Sequence, residues 1–171
     1  MAVGLTSSVT IGFVVGLFQG SVFSKMESVK EKMTLLKRCY VASVFSTVGL
    51  AACGLKGVTK LVGGNSNIIM AAITLFSGII ACAVSFQFYQ VPNLASSTMF
   101  PESSSVALSL TDAAGFLVTA AVMGINSYVL GNFGWSACWA FMAVVFSLGG
   151  VSMTRALKLV LIEQTKKQRW R

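Results

Sequence analysis

The sequence predicts an all-α fold, a polytopic membrane bundle of five transmembrane helices, and three observations carry that prediction. Of 171 residues, 55% are hydrophobic and 11% charged, where soluble domains average about 25% charged. The mean hydropathy is +0.79. The apolar residues gather into long stretches suited to the ~30 Å hydrocarbon core of a bilayer, and the 13 Lys and Arg lie between and after those stretches. The chain reads as a single membrane domain, residues 1–171.

The first span covers residues 3–23, which hold no charge and would be about 30 Å long as a helix. A cleaved signal peptide would begin with basic residues, whereas Lys25, the first basic residue, follows this apolar stretch. Residues 24–38 carry five basic and two acidic side chains and read as a loop. The shorter second span, 39–55, is closed by Lys56 and Lys60. Gly63, Gly64, Asn65 and Asn67 then interrupt the helical pattern. The third span, 68–89, is again uncharged, and Pro92 is expected to end it. Beyond a polar stretch to residue 105, the fourth span, 106–130, contains a single charge, Asp112. Gly131, Asn132, Phe133 and Gly134 read as a tight turn into the fifth span, 135–153, which is followed by a basic tail, 154–171.

Orientation follows from the excess of Lys and Arg on cytoplasmic flanks. If 24–38 faces the cytoplasm, alternate crossings put 91–105 and the tail there too, with eleven basic residues on that side against two on the other. The C-terminus is therefore expected on the cytoplasmic, positive side and the N-terminus opposite, a start that a preceding helix would explain. On this reading the net charge of +8 reflects topology, and the expected partner is the lipid bilayer, not nucleic acid.

The absence of histidine excludes His-based catalysis and His-ligated metals within this chain. No Walker loop, dinucleotide fingerprint or metal-ligand spacing occurs, and no nucleophile–base pair is visible. No enzymatic activity, catalytic residue, metal or cofactor is expected. Cys39, Cys53, Cys82 and Cys138 are widely spaced and read as buried, inert thiols.

Gly12, Gly16 and Gly20 recur every four residues on one helical face, a spacing that lets a second helix backbone approach closely. Ordinary packing within the chain, a sliding interface or an oligomer contact would each use it. Gly115 and Gly124 lighten the fourth span in the same way. Asp112 is a candidate coupling group because a carboxylate inside a span is costly unless it faces protein or water. It also reads as a hydrogen-bonded strut between helices, or as a group near the headgroups. Gln19, Gln87, Asn126 and Tyr128 are polar positions that would line a cavity or bond neighbouring helices. Phe86, Phe88, Tyr89, Trp135, Trp139 and Trp170 fall near span ends and read as interfacial anchors. Lys25, Lys30, Lys32, Lys37 and Arg38 would form a cytoplasmic basic loop.

This order of parts resembles the C-terminal half of a major facilitator superfamily transporter. Gly16-Leu-Phe-Gln-Gly20-Ser-Val-Phe-Ser-Lys25 occupies the place of that superfamily's small-residue loop motif, although Lys25, Glu27, Lys30 and Lys32 are offset from its usual spacing. The stretch from Val106 through Thr111-Asp112-Ala-Ala-Gly115 to Asn126-Ser-Tyr128, ending at Gly134-Trp135, is similar to the penultimate helix and following turn of the sugar-phosphate and glycerol-3-phosphate permeases. The resemblance implies helices eight to twelve of a twelve-helix secondary transporter, a partial half-domain. It also implies a partner: the missing half, a second copy or a larger membrane complex. The basic residues that grip substrate in such permeases belong to helices with no counterpart here. A different class of function is a non-transporting structural subunit of a larger membrane assembly, such as an energy-converting supercomplex. No cation deep in a span and one intramembrane carboxylate suit that role.

Overall fold

The computed structural model describes the backbone of residues 2–169 and the side chains of residues 4–88 and 90–165. Those residues are all-helical, with no strand among them. The order is α1 (Ala2–Lys25), α2 (Val29–Cys53), α3 (Lys56–Leu61), α4 (Ser66–Met99), a 3₁₀ turn (Pro101–Ser103) and α5 (Ser104–Arg169). By length and composition α1, α2, α4 and α5 are each apolar enough to cross a membrane. The side chains of Lys166, Lys167 and Arg169, the ring of Tyr89, and Trp170 and Arg171 altogether lie outside the described residues.

The segment 24–38 is not a loop. Only Met26, Glu27 and Ser28 are non-helical, and α2 begins at Val29. Lys, Glu, Met, Leu and Arg are good helix formers, and Val29, Met33 and Leu36 recur at helical spacing and turn inward. The α2 charges of this stretch, Lys32 excepted, decorate the outside of its amphipathic start. Pro92, expected to end a span, instead sits inside α4. Proline's φ suits a helix and only one ladder bond is lost. The Ser96 and Ser97 hydroxyls donate to the carbonyls of Pro92 (2.8 Å) and Asn93 (2.9 Å), while Val91 and Leu94 pack into the core beside it.

The chain reverses between α3 and α4 through Gly63 and Gly64, both with positive φ (64° and 70°). Asn65 then caps α4, its side chain accepting from the Asn67 amide at 3.0 Å. The expected turn before Trp135 appears as one non-helical residue in α5, Gly134, at φ 81° and ψ −175°. That backbone region is essentially reserved for glycine. The reversal is real: the Cys138 thiol donates to the Asn126 side-chain oxygen at 3.2 Å, although 12 residues of continuous helix would separate them by about 18 Å. In a chain whose other cysteines are replaced by Ala, Asn126→Cys is expected to form an intramolecular disulfide with Cys138 under mild oxidation. Only intermolecular product on gels and in peptide mass maps would contradict the folded-back α5.

Contacts fix the helix directions. The Ser8 hydroxyl of α1 donates to the Thr74 carbonyl of α4 at 2.7 Å, and farther along, Gly20 lies against Gln90, so α1 and α4 run parallel. The Trp135 indole N–H donates to the Leu50 carbonyl at 2.9 Å, Gly150 lies against Tyr40, and Leu157 shares the core with Leu36, so α2 and 135–169 run antiparallel. The core sits at the end where α1 finishes and α2 begins: Phe23, Leu36, Cys39, Ala83, Phe86, Val91, Leu157 and Leu161. Phe86, expected as an interfacial anchor, is fully buried there, its ring edge-on to Phe23 at 5.1 Å. The thiols also differ from expectation, since Cys39 and Cys138 are buried but Cys53 and Cys82 only half-buried; all are free.

Candidate functional site

The glycine face of α1 packs closely against α4. A Cβ on Gly12 would strike the Gly78 carbonyl, and one on Gly16 would strike the Ser85 hydroxyl and the Cys82 carbonyl. Gly20 abuts the Gln90 side chain. Ser85 donates across the seam to the Phe13 carbonyl at 3.3 Å. Gly78, Ser8 and Ser85 were not singled out in the sequence, although Gly78, Cys82 and Ser85 recur at helical spacing. Gly115 and Gly124, which share the same sequence logic, face open space with no atom within 4 Å of an added Cβ.

Beside this seam, α1, α2 and α4 line an open cavity of about 720 Å³. Its walls are mostly aliphatic, and its polar groups include Gln19, Arg38, Cys39 and Cys82. The Cys39 thiol donates to the Gln19 side-chain oxygen at 3.7 Å. Arg38 is exposed on α2, on the side of the bundle where α1 ends. The arrangement suits a small solute with an apolar body and an anionic or hydrogen-bonding end directed toward Arg38. Deeper in the bundle, Gln87 is buried with its amide nitrogen unpaired, as is the Ser46 hydroxyl.

The basic residues segregate with the helix ends. Lys25, Lys30, Lys37 and Arg38 are exposed, and Lys32 is buried with its ammonium 5.4 Å from the Phe23 ring centroid. Lys56 and Lys60 stand at the opposite end, on α3. The rings of Trp135 and Trp139 lie tilted at 58° with centroids 5.7 Å apart near that end, and the Trp135 indole, satisfied by Leu50, ties the turn at Gly134 to α2.

The arm 104–133 of α5 is different. Phe116, Leu117 and Val118 are 68%, 74% and 64% exposed, and consecutive helical residues point about 100° apart, so apolar side chains face outward around its circumference. Asp112, Gly115, Val122, Asn126 and Val129 form its half-buried stripe, while Tyr128 is exposed. Among the described residues Asp112 has no hydrogen-bond partner, so of its three readings the strut finds no partner there.

Fold and site together define a helical protein with several membrane-compatible apolar helices, a glycine-lined helix seam and an arm whose outward faces are apolar and exposed. No family model, curated protein or solved structure matches the chain.

Proposed function

We propose that this chain is a major facilitator-like membrane transport protein, part of a half-bundle that moves a small solute by secondary transport, with organophosphates as the candidate class. On this reading it crosses the bilayer five times, its C-terminus is cytoplasmic, and a missing half or a second copy completes the path. The observation that carries the proposal is the cavity between α1, α2 and α4, which pairs Gln19 and Arg38 with apolar walls and lies beside a glycine seam. Close backbone contact lets helices shift without repacking large side chains, and an open wall leaves room for another bundle to rock against it.

A second reading has its own observation. The arm 104–133 is apolar on its exposed faces, which suits permanent burial in an assembly of membrane proteins, the chain then serving as a non-transporting subunit. Labelling of native membranes with an impermeant maleimide separates the two. Transport requires Cys82 in the cavity to react from one side and to be slowed by inorganic phosphate, glycerol 3-phosphate or a hexose phosphate, with Cys53 as the unprotected reference. A Cys82 inert from both sides, in a chain that elutes only with other subunits in mild detergent, would replace transport with the subunit role.

A further inference from the structure

A second groove, of about 760 Å³, lies on the outer surface between α2 and the 135–169 half of α5. Val44, Val48, Phe146 and Val151 line its length, and Lys37 and Arg155 stand together at one end. The antiparallel pairing of Tyr40 with Gly150 puts those two cations at one level. Both are exposed, and neither has an acidic partner among the described residues. From Lys37 to Val48 the groove runs about 16 Å along α2, which is close to half of the ~30 Å hydrocarbon core, the depth reached by one leaflet's acyl chains.

We infer that this groove is a binding site for an anionic phospholipid, with its phosphate between Lys37 and Arg155 and an acyl chain along Val44 and Val48. Like charges held at one level repel each other, and an intervening phosphate reverses that repulsion. The Tyr40 ring lies against Gly150, and both line the groove with Phe146 and Val151. The inference rests on the membrane placement of α2 and α5 and is independent of whether the chain transports anything.

The test is native mass spectrometry of the full chain in mild detergent, with phosphatidylglycerol and phosphatidylcholine of equal chain length. The unsubstituted protein is expected to retain phosphatidylglycerol preferentially. Lys37→Gln combined with Arg155→Gln should reduce that preference about thirtyfold, on the scale of about 1 kcal/mol per basic group near anionic lipid. Val44→Trp, which fills the groove and keeps both charges, should lower retention of both lipids. Lys56→Gln with Lys60→Gln, at the other end, should change nothing. Equal retention of the two lipids by the unsubstituted chain, an unaltered preference in the Lys37/Arg155 variant, or competition by glycerol 3-phosphate as strong as by the intact lipid would overturn the inference. An acidic polypeptide recovered on the groove in place of lipid would overturn it as well. None of these outcomes bears on Cys82 labelling, so the transport reading and the lipid site fail separately.

Discussion

Gly16→Leu is expected to unfold the bundle or to lower its thermal midpoint in mild detergent sharply. The new side chain would meet the Ser85 hydroxyl and the Cys82 carbonyl, and a backbone carbonyl cannot swing aside as a side chain does. Overpacking typically costs about 1–3 kcal/mol and occasionally more. Here the seam has no slack, because Gly12 is already against the Gly78 carbonyl one turn away. Relieving the clash means moving α1 off α4, which also breaks the Ser8–Thr74 and Ser85–Phe13 hydrogen bonds. Gly124→Leu is the matched control: the same replacement in open space should leave the midpoint of the isolated chain nearly unchanged. Equal midpoints for Gly16→Leu and the unsubstituted chain would refute the tight seam. Loss of a native complex in Gly124→Leu alone would mark the arm as an interface.

Phe86→Ala should cost about 3 kcal/mol, the lower end for truncating a buried Phe. The ring is fully buried where α1, α2, α4 and α5 converge, with Phe23, Leu36, Leu157 and Leu161 around it. In a bilayer the separated helices remain in an apolar medium, so little hydrophobic transfer energy is lost; the cost is forfeited dispersion contact and a residual cavity. Phe116→Ala, at a 68% exposed position, removes the same atoms without opening a cavity and should stay within about 0.5 kcal/mol. Thermal or denaturant unfolding of the two variants side by side decides the matter, and comparable losses would mean that Phe86 is not central to the core.

Several features were legible because their cause is local. Helical character and membrane compatibility follow from the length and purity of the apolar runs, and the reversal at Gly134 follows from a glycine that alone tolerates its backbone angles. Others were misread because one local cue was given too much weight. Charge suggested a loop at 24–38, yet the apolar period of Val29, Met33 and Leu36 runs through it. Pro92 suggested an end, yet one missing amide does not stop a helix whose next turn is held by Ser96, Ser97 and the core contacts of Leu94. Phe86 and Trp135 looked alike near span ends. One is buried in the core and the other bonds a carbonyl on a helix 85 residues away in sequence.

By itself the sequence determined that the chain is helical and which runs are apolar, where glycine permits a sharp reversal, and which faces allow a backbone to come close. Whether a partner occupies such a face was decided only by tertiary structure. Gly12 and Gly16 meet Gly78, Cys82 and Ser85, some 66 residues or more along the chain, while Gly115 and Gly124 meet nothing. The same holds for the two grooves, whose walls come from helices distant in sequence. The physical reason is that a missing Cβ is a property of one residue, whereas contact requires two surfaces, and the second is supplied by the path of the whole chain.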